Sequence, residues 1–363
     1  MDRCFRRIDG SRFARHIGLV VCVTQLLDWY DQHKRDLPWR RGEVDPWHVL
    51  LTETLLQQTT VATVLPHHPR FLERFPTAAA MAAAGEEEVL RMWAGLGYYA
   101  RARRLHAAAQ VIAARGFPAD IDGLRALPGV GAYTAAAVGA IGFGLPAVPV
   151  DGNVERVMAR VARIEIPLPR GKAAIRAAAA RIGQQEAAHA RPGDVAQALF
   201  DLGATVCTPV SPRCPACPWR DGCAGRDIAQ RLPVRAPKKP RARWFGVHFL
   251  LEDAAGRVLL RRRPREGVLG GMMELPGTSW RPAEWTPEEA LALAPAKAVW
   301  RPIGTLWHGF THAELEITLM RAAVARISAP GELVPAARLG QAGLPSVMLK
   351  CVRLAGLAEG PAP

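Results

Sequence analysis

The spacing of apolar residues changes from a helical to a strand-like period about two thirds of the way along the chain. From residue 17 to about residue 224, apolar residues recur at intervals of three and four, and Gly or Pro interrupts them at short intervals. Alanine-rich stretches such as residues 173–180 add strong helix propensity. This part of the chain therefore predicts a mainly α domain, with no convincing strand before residue 243.

Beyond residue 243 the apolar period shortens to two. Residues 244–252, 257–263 and 314–325 read as strands separated by Gly and Pro turns, which indicates an α+β domain. Between the two parts, residues 231–243 contain three prolines and six positive charges, a composition that favours neither helix nor strand. We predict a flexible tail at 1–16, a helical domain at 17–227, a basic linker at 228–243 and an α+β domain at 244–358.

The charge balance indicates a polyanionic partner. The 363 residues carry a formal net charge of +14, from 41 arginines and only six lysines, with the excess in the first two thirds and in the predicted linker. Basic side chains gain affinity for nucleic acid by displacing counterions from phosphates. The alternative from charge alone is a solvated surface. No run approaches the roughly 20 apolar residues that cross a bilayer, and no secretory signal is recognisable, so we expect a cytoplasmic protein.

Four cysteines lie close together near the end of the helical part. Cys207, Cys214, Cys217 and Cys223 form a Cys-x6-Cys-x2-Cys-x5-Cys ladder. Zinc ribbons usually have two Cys-x2-Cys pairs, and this segment has one. Cysteine-only ligation with irregular gaps suits an iron–sulfur cubane better, although zinc stays open on spacing alone.

A glycine-rich turn precedes one of the predicted helices. The segment Leu-Pro-Gly-Val-Gly-Ala-Tyr-Thr-Ala places Gly129, Val130 and Gly131 before a helix N-terminus. Glycines allow close approach of the backbone, and a helix N-terminus attracts anions such as a DNA phosphate. Taken alone, the turn could equally be a plain helix–helix connection.

Three polar residues are candidates for acid–base chemistry. Glu53 shares a helical face with apolar residues, and burial there would raise its pKa and make it a proton donor near neutral pH. Asp151 and Asn153 stand at the start of another predicted helix. An ordinary surface carboxylate is the alternative for Glu53, and a helix N-cap is the alternative for Asp151.

The order of these features resembles the helix-hairpin-helix DNA glycosylases of the endonuclease III superfamily. Residues 52–59, residues 95–103 and the Asp151-Gly-Asn153 segment are similar to those of its adenine-excising branch, and the likeness extends over about residues 24–325. The resemblance implies a helix-hairpin-helix glycosylase domain whose cysteine loop, residues 207–223, holds one 4Fe–4S cluster.

The resemblance also implies roles for the acid–base candidates. Glu53 would protonate N7 of adenine while the bond to the sugar breaks, and Asp151 would stabilise the positive charge that develops on the sugar. Asn153 would orient Asp151, and Tyr133 would form a hydrogen bond near Glu53.

Further residues match segments that contact DNA in this superfamily. Gln57, Gln58, Tyr98 and Tyr99 correspond to segments that wedge into the duplex and fill the gap left by an extruded base. Core packing is the alternative for these residues, and it applies best to one of the two tyrosines. Gln197 resembles the residue that reads the adenine edge. Trp39 and Arg40 belong to a Leu-Pro-Trp-Arg stretch beside the pocket.

The second domain resembles the Nudix-like domain that follows the glycosylase domain in this branch. Residues 270–277 are not followed by the Arg-Glu-x-x-Glu-Glu helix of a true Nudix hydrolase, so hydrolysis is not expected there. Phe310, Thr311 and His312 match a Phe-Ser-His loop that recognises 8-oxoguanine, with Thr in place of Ser.

The resemblance thus implies a monomeric, monofunctional enzyme that removes adenine opposite 8-oxoguanine or guanine in double-stranded DNA. Glycosylases with lyase activity carry a nucleophilic lysine where this chain has Tyr133. A bifunctional glycosylase and lyase acting on oxidised pyrimidines is the main alternative. A non-catalytic mismatch-binding protein would not need both Glu53 and Asp151.

Overall fold

The structure is a computed structural model that describes residues 21–237, 240–264, 266–310 and 313–357. The described chain divides into two compact units. The first comprises residues 21–89 and 100–237, and the second comprises residues 90–99 and the described residues from 240 onward. Within the described ranges, no helix is both long enough and apolar enough to span a bilayer.

The chain up to residue 237 is helical. Its α-helices are α1 Val23–His33, α2 Pro46–Leu56, α3 Val61–Val64, α4 His68–Arg74, α5 Ala78–Ala83, α6 Glu86–Met92, α7 Ala100–Arg115, α8 Ile121–Ala126, α9 Ala132–Phe143, α10 Gly152–Val161, α11 Lys172–Gly183, α12 Glu186–Ala190 and α13 Pro192–Asp201. A π-helical turn, Leu202–Val206, extends α13, and short 3-10 turns occur at Pro38–Arg40, Cys214–Ala216 and Arg226–Arg231.

Small residues allow α2 and α9 to pack closely. The interior of α9 includes fully buried Ala135, Ala137 and Val138. At Gly142, an added Cβ would lie 3.1 Å from the Pro46 Cα at the start of α2, so a larger side chain there would force the two helices apart. This close packing places the polar residues of α2 opposite those at the start of α9.

A second apolar core joins α1, α10, α11 and α13. Leu26, Val157, Ile182 and Leu199 are fully buried in this cluster. Trp219, from the cysteine-rich segment, packs into the same core, and its indole Nε1 donates to the Cys22 carbonyl at 2.8 Å. The cysteine-rich segment is therefore anchored to the helical core.

The second unit contains a mixed sheet. Its strands are β1 Ala242–Asp253, β2 Arg257–Arg262, β3 Met273–Glu274, β4 Arg301–Gly309, β5 Ala313–Val324 and β6 Glu332–Pro335, followed or interrupted by α14 Pro287–Leu291, α15 Ser346–Leu354 and a 3-10 segment at Ala336–Gln341. The strand order is β3-β2-β1-β5-β4, and β6 pairs with β2. The central β1 and β5 run parallel, with Trp244 paired to Leu315.

Apolar side chains cover both faces of the sheet. Leu250, Ile317 and residues of α15 such as Val347 form one buried cluster, and Phe249 and Ala290 of α14 belong to another. Residues 246–251 of β1 are accordingly buried without alternation. The predicted α+β class of this unit is confirmed.

Part of the predicted linker makes backbone contacts, and the second unit contains strands that were not predicted. Residues 228–243 were predicted to connect the domains, yet Arg226–Arg231 forms a 3-10 turn and Arg235 makes a β-bridge with Leu168. The first unit extends to Pro237. The proline-rich segment belongs to this unit because its backbone pairs with the loop that contains Leu168. The strands β3, β4 and β6 were not predicted, and β1 begins at Ala242.

Candidate active site

All four predicted catalytic residues, Glu53, Tyr133, Asp151 and Asn153, line one cavity of the first unit. It has a volume of about 200 Å³. Its lining residues come from five parts of the first unit: the segment after α1, the region from α2 to α3, α9, α10 with its N-cap, and α13 with the π-helical turn that extends it. They are Arg35, Leu37, Trp39, Arg40, Val49, Thr52, Glu53, Leu56, Thr59, Val61, Tyr133, Ile141, Asp151, Asn153, Gln197, Phe200 and Ala204. Residues from distant parts of the sequence thus meet at a single concave site.

Glu53 is a buried carboxyl group, not a surface one. It projects from α2 with 7% of its surface exposed. Burial raises its pKa from 4.5 to about 7, the nearby Asp151 charge adds to this effect, and Tyr133 and Arg40 oppose it. The Tyr133 hydroxyl donates to Glu53 Oε2 at 2.6 Å, which leaves Oε1 as the oxygen that can carry the acidic proton. Glu53 is therefore suited to donate a proton near neutral pH.

Asp151 combines an N-cap with a position in the cavity. Its Oδ1 accepts from the Val154 N–H at 2.7 Å at the start of α10, and its Oδ2 accepts from Asn153 Nδ2 at 3.1 Å. The N-cap alternative is thus correct for one oxygen, while the residue also lines the cavity. Burial raises its pKa above 3.8, and the hydrogen bonds from Val154 and Asn153 oppose that rise. The two carboxyl groups of the cavity consequently have different environments, as acid–base pairs require.

A buried aspartate, which the sequence analysis missed, fixes one wall of the cavity. Asp201 at the end of α13 is fully buried. Its Oδ2 accepts from Arg40 Nη1 at 2.6 Å, and its Oδ1 accepts from Arg40 Nη2 at 3.0 Å. Arg35 donates to the same carboxylate through both its backbone N–H and its Nε. No local sequence pattern identifies Asp201, because its partners Arg35 and Arg40 lie 166 and 161 positions away along the chain.

Arg156 connects the Asp151 segment to the cysteine loop. Its Nη2 donates to Asn153 Oδ1 at 2.9 Å and to the Gly203 carbonyl at 2.7 Å, while its Nε donates to the Cys207 carbonyl at 2.7 Å. Arg156 was not among the residues predicted from the sequence. Its place three positions after Asn153 on α10 was the signal, because such residues are neighbours on a helix surface.

The four predicted ligand cysteines line a common second cavity. The buried Arg160 lies beside them and donates to Cys207 Sγ at 3.3 Å and to the Thr208 carbonyl at 2.7 Å. Among the residues that the structure describes, no group of three His, Cys, Asp or Glu side chains has the spacing to hold a single metal ion. Four thiols arranged around a shared space, with a guanidinium nearby, are a donor set that fits a larger anionic cluster.

The predicted DNA-contacting residues of the first unit differ in exposure. Gly129 and Gly131 are exposed, Gly129 has a φ of 78°, Val130 is buried, and no side chain caps the N-terminus of α9. This arrangement leaves the backbone of the turn accessible, as an anion site requires.

The two glutamines of the predicted wedge have different surroundings. Gln57 is half-buried, and its Nε2 donates to Thr134 Oγ1 at 3.2 Å. Gln58 is exposed and has a φ of 55°. Gln58 is therefore the better placed of the two to enter a duplex.

The two tyrosines of the second unit also differ. Tyr98 is 53% exposed and has a φ of 47°. Tyr99 is half-buried, and burial raises its pKa. Tyr99 is thus the tyrosine to which the packing alternative applies.

The predicted lesion-reading loop is described only in part. Phe310 is half-buried, and its ring lies 5.7 Å from that of Trp280 and 4.8 Å from that of His308. Thr311 and His312 lie outside the described residues. Within the described part of the second unit, the helix after Gly277 is the short α14, whose Glu289 completes a capping box with Thr286. That use of Glu289 differs from metal binding in a Nudix helix.

Both units of the chain are similar to known proteins. A model described as HhH-GPD superfamily base excision DNA repair protein matches residues 51–179, and a NUDIX domain model matches residues 247–354. Adenine DNA glycosylase of Homo sapiens is 33% identical over 373 residues, which cover 85% of this chain and 68% of the human protein. Adenine DNA glycosylase of Mycolicibacterium smegmatis is 44% identical over 223 residues, which cover 59% of this chain and 75% of that protein.

A solved structure supports the same fold for the first unit. The structure of a thermostable thymine-DNA glycosylase matches with a TM-score of 0.50 and 27% identity, and it covers 57% of this chain and 95% of that one. The helical unit is therefore that of a helix-hairpin-helix base excision repair glycosylase. With its cavity and its second unit taken together, the chain belongs to the adenine DNA glycosylase family.

Proposed function

We propose that this adenine DNA glycosylase excises adenine paired with 8-oxoguanine or guanine, and that it hydrolyses the N-glycosidic bond without cleaving the DNA strand. The observation that carries the proposal is the Glu53 carboxyl group, buried and hydrogen-bonded to Tyr133 in the same cavity as Asp151. The positions of these residues on separate, closely packed helices support a preorganised acid and carboxylate pair.

The proposed reaction uses the two carboxyl groups in different protonation states. Glu53 in its acid form donates its proton to N7 of adenine, so that the base leaves as a neutral species. Asp151 as a carboxylate stabilises the positive charge on the sugar, and Asn153 keeps it oriented through the 3.1 Å hydrogen bond. Water then completes the hydrolysis at the sugar. The adenine must be extruded from the duplex, because the cavity cannot reach a base that is stacked within it.

The lining of the same cavity supports the proposed absence of lyase chemistry. A lyase requires an amine that forms a Schiff base with the opened sugar. Tyr133 stands at the position of that lysine and is engaged with Glu53, and no lysine is present among the described residues that line the cavity. These features favour a monofunctional enzyme over a bifunctional one that acts on oxidised pyrimidines.

We assign recognition of 8-oxoguanine to the second unit. The packing of the Phe310 ring against Trp280 and His308 supports a fixed position for Phe310, the first residue of the predicted recognition motif. The Thr311 hydroxyl retains the hydrogen-bonding capacity of the serine found in the related loop. Duplex DNA with an A·8-oxoguanine or A·G mispair is thus the proposed substrate.

The cysteine loop is proposed to hold one 4Fe–4S cluster. When bound, the cluster would supply iron–thiolate bonds that cross-link Cys207, Cys214, Cys217 and Cys223. The protein itself holds the end of the cysteine loop against α10, because the Gly225 N–H donates to the Arg160 carbonyl at 2.8 Å.

Metal analysis of anaerobically purified protein should find about four irons and equivalent acid-labile sulfide per chain, as expected for a cubane. Cys214→Ser should lower both values. Cys351→Ala is the matched control, because Cys351 is buried in the core of the second unit. One zinc per chain with no sulfide would contradict the cluster assignment.

The pH dependence of excision tests the assigned acid. Because Glu53 must be protonated to act, the single-turnover rate should be highest below its pKa of about 7 and should fall roughly tenfold per pH unit above it. At low pH the rate should fall again as Asp151 becomes protonated, at a pH above its ordinary 3.8. A rate that is constant or rising from pH 6 to 9 would exclude Glu53 as the proton donor.

A further inference from the structure

Arg101 on α7 binds the end of α2 and the loop that follows it. This buried side chain donates from Nη1 to the Thr54 carbonyl at 3.0 Å, to the Leu55 carbonyl at 3.1 Å and to the Gln57 carbonyl. Its Nη2 donates to Thr59 Oγ1 at 3.1 Å. The last carbonyls of a helix lack partners within the helix, and a positive charge is favourable there. One guanidinium thus satisfies both the helix end and the loop.

Gln58 lies between the residues that Arg101 holds. Its φ of 55° is in the left-handed region, which residues other than glycine seldom adopt unless their surroundings enforce it. The Gln57 carbonyl and the Thr59 hydroxyl on either side both accept from Arg101, and Thr59 Oγ1 also donates to the Gln57 carbonyl at 3.2 Å. The Gln57 side chain is tied to Thr134 as well. The exposed Gln58 is therefore presented on a loop whose flanks are fixed.

We infer that Arg101 is a positioning residue that preorganises Gln58 for insertion into the duplex when adenine is extruded. The inference rests on the proposed base extrusion and on the wedge role that the family resemblance predicts for Gln58. A loop that is already ordered before DNA binds loses less conformational freedom on binding, so more of the binding energy is available to unstack the base. The planar guanidinium reaches four acceptors that a lysine ammonium, with three donors at one point, cannot span.

The experiment measures base extrusion separately from bond cleavage. The background is Glu53→Gln, which lacks the proposed acid, and the probe is a duplex with 2-aminopurine in place of the target adenine, opposite 8-oxoguanine. Unstacking of 2-aminopurine increases its fluorescence. Arg101→Lys should reduce the rate or amplitude of this increase about tenfold, in line with the cost of misplacing a positioning group. Arg115→Lys, at an exposed position of the same helix, should have no effect.

The Gln58→Ala variant tests the wedge role of Gln58 separately from the positioning role of Arg101. If Arg101 acts through Gln58, Gln58→Ala should reduce extrusion similarly, and the double variant should be little worse than either single one. If Gln58→Ala reduces extrusion while Arg101→Lys behaves like Arg115→Lys, the role of Arg101 is refuted and the wedge stands. If neither variant changes extrusion, the wedge proposal is itself wrong, and the role of Arg101 is wrong with it.

Thermal unfolding monitored by circular dichroism would reveal a failure of Arg101→Lys to fold. A second variant tests the inference in that case. Thr59→Val removes the acceptor of Arg101 Nη2 and keeps the branched shape of the side chain. Thr59→Val should reduce base extrusion severalfold, and its unfolding temperature should not show the large decrease that a disrupted core would cause. Normal extrusion by a folded Thr59→Val protein, together with a misfolded Arg101→Lys protein, would assign Arg101 a purely structural role and overturn the inference.

Discussion

Glu53→Gln should reduce single-turnover excision of adenine by roughly 100- to 10,000-fold, the usual contribution of a general acid. Gln has nearly the same shape, and its amide oxygen can still accept the Tyr133 hydrogen bond that Glu53 Oε2 accepts at 2.6 Å. The amide cannot donate a proton to a leaving base. The protein should therefore fold and bind an A·8-oxoguanine duplex with little change in Kd, measured by fluorescence anisotropy.

Glu73→Gln serves as the matched control for this prediction. Glu73 is an exposed residue of α4, so the same chemical change there should leave both rate and affinity unaltered. Substantial turnover by Glu53→Gln, or a residual rate that still follows a pKa near 7, would show that another group supplies the proton.

Asp151→Asn should reduce the excision rate by about 100- to 1,000-fold, comparable to the loss of one preorganised electrostatic group. The change removes the carboxylate that we propose stabilises the positive charge on the sugar, and it retains the N-cap, because Asn and Asp cap helices equally well. The amide oxygen introduced by this change can still accept from the Val154 N–H, as Asp151 Oδ1 does at 2.7 Å. Single-turnover kinetics measure the effect of the lost charge on the excision rate, and thermal unfolding measures the effect of the substitution on protein stability.

The matched control is Asp120→Asn at the N-cap of α8. Asp120 is exposed and accepts from the Gly123 N–H at 2.8 Å, so its change should affect neither rate nor unfolding temperature. An Asp151→Asn protein that is as active as the wild type would remove the carboxylate from the mechanism. One that unfolds at a much lower temperature would indicate a mainly structural role.

The sequence predicted the two fold classes because they follow from periodicity. The change from a helical to an alternating period near residue 243 corresponds to the start of β1 at Ala242. Strand β4 was missed because Pro302 and Gly304, the latter with a φ of 158°, interrupt its pattern. The backbone bridge between Leu168 and Arg235 could not be predicted from the local pattern of proline and charge, because its two residues are distant in the sequence.

The site residues that belong to short sequence motifs could be predicted. Those that depend on ion pairs between distant parts of the chain could not. Glu53, Tyr133 and Asp151 were identified from short segments, and the structure places them in one cavity. The contacts of Asp201 with Arg35 and Arg40 join residues that are 166 and 161 positions apart, so no local pattern signals them.

The hydrogen bonds of Arg101 likewise connect α7 to the end of α2, which lies in a distant part of the sequence. Only the packed structure reveals such contacts. The left-handed φ of Gln58 is a further example, because glutamine has no special preference for that conformation.

The most direct test of the proposed function is single-turnover excision on four labelled duplexes containing A·8-oxoguanine, A·G, A·T or thymine glycol opposite A, each with and without alkali. We expect cleavage of the adenine strand of A·8-oxoguanine, and more slowly of A·G, only after alkali treatment, with A·T intact. Strand cleavage at thymine glycol without alkali would contradict the account, because it requires an amine nucleophile that the cavity around Glu53 and Tyr133 does not offer among the described residues.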